Sequence, residues 1–164
     1  MVTVLHTDYR ESGASNLLSY MNKEEGNGLH NRYGEEMTNA EIQHFVEKSE
    51  AHEFERSIIV SPENRHTLSD DELSLYARKT MQEFTEDRPT ADYCYAVHRD
   101  SENPHVHVAL TGTKDDLYMN TEDIESVRED AHTKFVEQHQ ENTPPLLPEH
   151  EFEQDTQHSA ERFR

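Results

Sequence analysis

Residues 93–110, YCYAVHRDSENPHVHVAL, constrain the fold more than any other stretch. Two apolar runs flank a polar segment that ends in Asn103-Pro104, a pair suited to a turn. Side chains alternate between the two faces of a strand. On the first run Tyr93, Tyr95 and Val97 share one face, and Cys94, Ala96 and His98 the other. On the second run Val106, Val108 and Leu110 share a face, opposite His105, His107 and Ala109. Paired as a hairpin, the runs combine their bulky faces against helices. The opposite face becomes a shallow floor of small residues, with three imidazoles at one end.

The rest of the chain supplies partners for such a hairpin. Leu73, Tyr76, Ala77, Met81 and Phe84 recur at helical spacing. Ser69 with Glu72 forms a capping box before them, so a helix is expected over about 69–86. Thr38 with Glu41 starts a second helix near 38–51, carrying Ile42, Phe45 and Val46 on one face. Thr121 is expected to cap a last helix to about 139, burying Ile124, Val127, Ala131, Phe135 and Val136. Residues 2–6 and 54–61 read as strands, 14–24 as a short helix and 25–37 as loop. The fold class expected is α+β, an antiparallel sheet with helices packed mainly on one face. One domain is expected over 1–141, followed by a Pro-containing acidic tail or peripheral arm over 142–164.

Composition at first argues otherwise. The 164 residues carry 35 Asp and Glu against 15 Lys and Arg, a formal net charge of −20. Leu, Ile, Val and Phe make up under a fifth of the chain, a balance typical of disorder. Disordered chains lack the helical and strand periodicities found here, so that conclusion is set aside. No run approaches the length of a membrane span. A single cysteine, Cys94, permits no internal disulfide, and the first residues lack an apolar leader, so a reduced, cytoplasmic setting is expected.

Histidine is plentiful, at 12 residues. His105 and His107, two apart on a strand, point to one side of the sheet. His98 joins them from the neighbouring strand. Three converging imidazoles suit a divalent metal with open coordination positions. Asp100 is placed to accept an N–H from a ligating imidazole and fix its tautomer. The other histidines lack such company, with His6 kept as an outside candidate.

At these residues the chain resembles a known family. HRDSENPHVHVAL is similar to the third motif of Mob-type plasmid relaxases, members of the HUH (His-hydrophobic-His) endonucleases. SIIVSPENRHTLSDDEL resembles the strand, Ser-Pro turn and acidic helix that precede that motif, and SGASNLLSYMNKEEG resembles the Tyr-bearing first motif. The resemblance covers roughly residues 2–139. It implies His98, His105 and His107 as metal ligands, Tyr20 as nucleophile, Lys23 as a nearby basic residue and Asp100 as supporting carboxylate. Ser61 is implied as a contact to the DNA backbone; Lys23 and Arg99, basic residues near the motifs of an otherwise acidic chain, are expected to meet DNA as well. The implied activity is metal-dependent, site-specific nicking and joining of single-stranded DNA through a 5′-phosphotyrosine, for plasmid mobilisation, conjugative transfer or replication. The implied partners are an origin of transfer or replication and accessory mobilisation proteins. Imidazole donors favour Mn²⁺, Ni²⁺, Co²⁺ or Zn²⁺ on affinity. Availability points to Mg²⁺ or Mn²⁺ as the working ion.

Three other readings stay open: a DNA-binding protein that keeps the fold without catalysis, an unrelated three-histidine metal hydrolase acting on a small substrate, and a replication-initiator type of nickase. In the last the tyrosine follows the histidine motif. Tyr118 is the only tyrosine there, and no lysine follows it within a turn. Tyr9 and Tyr33 are further rivals to Tyr20. The acidity, with few lysines, resembles proteins of salt-in halophiles. At ~1 M salt the Debye length is about 3 Å, so a negative surface barely repels DNA.

Overall fold

The computed structural model describes residues 2–10, 18, 28–99 and 103–142. Five strands form one antiparallel sheet: β1 (Val4–Arg10), β2 (His30–Asn31), β3 (Glu55–Ser61), β4 (Asp92–His98) and β5 (His105–Thr111), in spatial order β1-β3-β5-β4-β2. β4 and β5 pair as the expected hairpin, with His98 opposite His105 and Ala96 opposite His107. β5 also pairs with β3, so the histidine strand lies at the centre of the sheet.

Helices α1 (Asn39–His52), α2 (Asp70–Thr85), the short α3 (Lys114–Leu117) and α4 (Thr121–His132) connect or flank the strands. The three longer ones start in the same way. Thr38, Ser69 and Asn120 each cap the helix and form a reciprocal capping box with Glu41, Glu72 and Asp123. Each cap sits between two apolar residues, Met37 and Ile42, Leu68 and Leu73, or Met119 and Ile124, in the staple positions that fix the direction of approach. The cap of α4 is thus Asn120 and not Thr121, because burial of Leu117 and Met119 brings the chain in one residue earlier. After α4 a π-helical turn, Thr133–Glu137, buries both Phe135 and Val136, and α5 (Gln138–Asn142) follows.

The main core lies on the face holding Tyr93, Tyr95, Val97, Val106, Val108 and Leu110. There α2 buries the whole expected stripe, Leu73 through Phe84. Ile58 and Val60 extend the core onto β3. The first strand begins later and runs longer than expected, at Val4–Arg10, because seven residues of it pair with β3.

The opposite face corrects an expectation. Cys94, Ala96 and Ala109 do not form an open floor: they are at most 1% exposed, beneath Leu18, Leu29 and Phe45. Their small side chains let α1 approach the strands closely, with Ile42, Val46 and Met37 at the margin. Burial raises the Cys94 thiol pKa. Among the described residues the β1–β3 part of this face is less covered, with His6 exposed and Ile59 half-buried. The expected helix over 14–24 lies outside the described residues except for Leu18, as does the expected tail beyond Asn142.

Candidate active site

The site is built at the end of the hairpin, on the face shared with α1. Two cross-strand rows define it. In one, Ser61 follows Val60, which pairs with Val106, and so lies beside His105, itself opposite His98. In the other, His6, Ile59, His107 and Ala96 run across four strands. His98 and His107 are buried, and His105 is half-buried at the rim.

His98 Nδ1 and His105 Nε2 face each other at 3.2 Å, their rings nearly perpendicular with centroids 5.0 Å apart. The His107 ring stands edge-on to His98 at 6.0 Å. His105 Nδ1 lies 2.8 Å from the Asn103 carbonyl. A carbonyl only accepts, so Nδ1 carries a proton, and in the neutral imidazole Nε2 then presents a lone pair towards His98. That is the tautomer a metal-ligating histidine adopts when a backbone oxygen holds its other nitrogen. Two nitrogens bound to one ion at about 2.1 Å stand roughly 3.0–3.4 Å apart. The observed spacing and the imidazole donors therefore fit a divalent metal. As placed, no group of three His, Cys, Asp or Glu side chains among the described residues is gathered into a metal site. His98 and His105 are brought face to face; His107 stands behind them.

The turn after β3 supports this pair. Ser61 Oγ donates to the Pro104 carbonyl at 3.2 Å, fixing the start of β5 next to His105. Arg65, which sequence reasoning missed, donates from Nη1 to the Pro62 carbonyl at 2.8 Å and from Nε to Asn103 Oδ1 at 3.2 Å. Its guanidinium thus stands beside the residue that orients His105, and supplies positive charge at the rim of an acidic molecule. The only sequence signal was its place in the Ser-Pro turn that precedes the histidine motif. Arg99 is engaged elsewhere, donating to the Leu68 carbonyl and to Asp70 at the start of α2. Tyr20, Lys23 and Asp100 lie outside the described residues. Leu18, two residues before Tyr20, is 2% exposed and packs with Ala96 and Ala109 on the imidazole face. Among the rival tyrosines, Tyr33 and Tyr118 are exposed, at the β2 turn and after α3; Tyr9 lies over Arg56 near the far end of the sheet.

Among the described residues no helix is long and apolar enough to cross a membrane. No curated protein matches the chain. The family model of the relaxase MobA/VirD2-like nuclease domain matches residues 20–141, a span holding the hairpin, its three histidines and the Ser-Pro turn. Nuclease domains of this family nick DNA, act on single strands at an origin and generally depend on a divalent metal. With that match over most of its length, on a sheet whose central hairpin carries the histidine motif, the chain belongs to the MobA/VirD2-like relaxases.

Proposed function

We propose that this chain nicks and rejoins single-stranded DNA at a specific site by transesterification onto Tyr20, for plasmid mobilisation, conjugative transfer or replication. The observation that carries the reading is the facing pair His98 Nδ1 and His105 Nε2, held on the sheet face that Leu18 also covers. Leu18, which packs on that face, precedes Tyr20 by two residues in the sequence.

In the reaction the Tyr20 phenol loses its proton and its oxygen attacks the scissile phosphorus. The bond to the 3′ oxygen breaks, leaving a 3′-hydroxyl and a 5′-phosphotyrosine. Energy close to that of the phosphodiester is retained in the new ester, so attack by a 3′-hydroxyl reverses the step and releases Tyr20. His98, His105 and His107 would hold a divalent ion, Mg²⁺ or Mn²⁺ in the cell and equally Zn²⁺, Ni²⁺ or Co²⁺ by donor type. When bound, that ion would neutralise charge on the phosphate oxygens. An ordinary phenol titrates near pH 10, so Tyr20 needs a neighbouring positive field, for which Lys23 is the nearest candidate in sequence. Asp100 is proposed to orient a ligating imidazole, and Ser61 to meet the DNA backbone; Arg99 would join it on exchanging Asp70 for a phosphate. The engagement of Ser61 with Pro104 makes its first role the placement of β5.

The test is incubation with single-stranded origin DNA and Mn²⁺, followed by denaturing electrophoresis. A covalent protein–DNA adduct that disappears in Tyr20→Phe supports the reading. An adduct that survives Tyr20→Phe moves the nucleophile to another tyrosine. DNA binding with no adduct on any strand, metal being bound, identifies a non-catalytic DNA-binding protein that keeps the fold.

A further inference from the structure

A cavity of about 430 Å³ opens between the β2 turn and α1, away from the imidazoles. Its apolar side is formed by Met37, Ala40 and Phe45, and its rim carries Arg32, Tyr33 and Lys48. Tyr33 is 75% exposed, yet its backbone is firmly held. Asn31 Oδ1 accepts from the Tyr33 and Glu35 amides at 2.9 and 3.0 Å, and the Gly34 amide donates to the Asn31 carbonyl at 2.9 Å. Gly34 takes φ 86°, a conformation that makes this tight turn possible. A stitched turn thus presents a bare aromatic ring at the mouth of an apolar cavity.

The charges around the cavity are unlike those of the chain as a whole. Arg32 Nη1 and Lys48 Nζ converge on one carboxylate, Asp92, at 3.3 and 2.8 Å. With Glu41 the lining carries two cations and two carboxylates, a local balance of zero in a molecule of net charge −20. The other rim carboxylate, Glu41, is turned to the Thr38 amide in the capping box. A ligand with a flat apolar face and an attached anion fits this arrangement. Phe45, on the cavity wall, also packs on Cys94, Ala96 and Ala109, the residues leading along the strands to His98 and His107. From Asn31, opposite Cys94, to the level of His98 is four strand residues, about 13 Å. A strand lying at the imidazoles would reach the cavity within a few nucleotides.

We infer that this cavity receives an unpaired nucleobase of the bound DNA strand, stacked on Tyr33, with the adjoining phosphate held by Arg32 and Lys48. The inference rests on the nicking reading only in taking single-stranded DNA as the ligand. Base–aromatic stacking tolerates any base, so the pocket gives affinity and register on the strand.

The test uses the full chain in EDTA, where no cleavage is needed. Fluorescence anisotropy compares a 20-nucleotide oligothymidine with an abasic strand of equal length, at several KCl concentrations, with dTMP as a competitor. Tyr33→Ala should weaken oligothymidine binding about tenfold and leave the abasic strand unchanged, while Tyr33→Phe binds as the parent does. Arg32→Gln should weaken both strands and reduce the salt slope by about one. Circular dichroism checks that the variants stay folded, as expected for an exposed side chain. The inference is overturned if Tyr33→Ala binds both strands normally or loses both equally. It is also overturned if the parent binds no single strand, or if dTMP binds the cavity without displacing oligothymidine. Discrimination by Tyr33 in EDTA, together with no adduct in the separate Mn²⁺ assay, would sink the nickase reading alone.

Discussion

The two faces of the β4–β5 hairpin do different work with the same backbone. One carries Tyr93, Tyr95, Val97, Val106, Val108 and Leu110, buried beneath α2 and α4 with little exposed surface. The other carries Cys94, Ala96 and Ala109 for half its length, then His98, His105 and His107. Large side chains fill the first and supply stability. Small ones on the second let α1 lie close and leave the far end to the imidazoles. The polar groups of the site are thus kept rigid by a core they do not belong to.

The sharpest way to break this comparison is a pair of substitutions, one on each face. His105→Ala should reduce adduct formation by about a thousandfold or more while leaving the melting temperature within a few degrees, since His105 sits half-buried at the rim. Leu73→Ala, fully buried under the sheet, should cost about 2–5 kcal/mol of stability. Its specific nicking activity per folded molecule should remain near the parent's. Denaturant melts and adduct yields on the same preparations decide it; a large stability loss in His105→Ala would merge the two faces into one.

A middle-sized effect tests how the site is oriented. Arg65→Gln removes the guanidinium that holds the Asn103 side chain. Loss of a partner acting one residue behind a ligand costs about 10–100-fold in metal affinity or activity. Metal titration followed by adduct assays should show the fall in affinity, with rescue by excess Mn²⁺. Normal affinity in Arg65→Gln would make Arg65 a DNA contact only, visible instead as a weaker salt dependence.

The smallest effects concern the small-residue face and the acidic surface. Cys94 is fully buried, and burial raises its pKa, so it should resist alkylation at pH 8 in the folded chain and react after unfolding. Rapid labelling of the native protein would mean that α1 opens readily. For the surface, folding and strand binding should persist at molar KCl with an unusually shallow salt dependence, because counterion release contributes little there. Unfolding at high salt, or binding that falls steeply from low salt, would remove that expectation.

Much of the site's surroundings was legible in the chain because the signals are local. Alternation places His98, His105 and His107 on one face whichever strands lie beside them. The reciprocal boxes of Thr38 with Glu41 and Ser69 with Glu72 span four residues and need no tertiary help. Asn120 with Asp123 was missed because neighbouring Thr121 is an equally good cap by type. Burial of Leu117 and Met119 on either side chose between them. Tyr20 as nucleophile, which rests on resemblance, and Lys23 and Asp100 lie outside the described residues.

By itself the sequence determined the hairpin, its two-faced character and the helices that start at Ser69 and Thr38. Each of these depends on residues a few positions apart, whose interactions are settled by backbone geometry. The tertiary structure decided which elements meet. It put β5 between β3 and β4, so the histidine strand became the centre of the sheet. It laid α1 over Cys94, Ala96 and Ala109 where an open floor was expected. It brought Arg65 to Asn103 across 38 residues, and set Tyr33 at the mouth of a cavity. Contacts between residues so far apart leave no period in the chain. They follow from how apolar faces are covered, and that depends on every element at once.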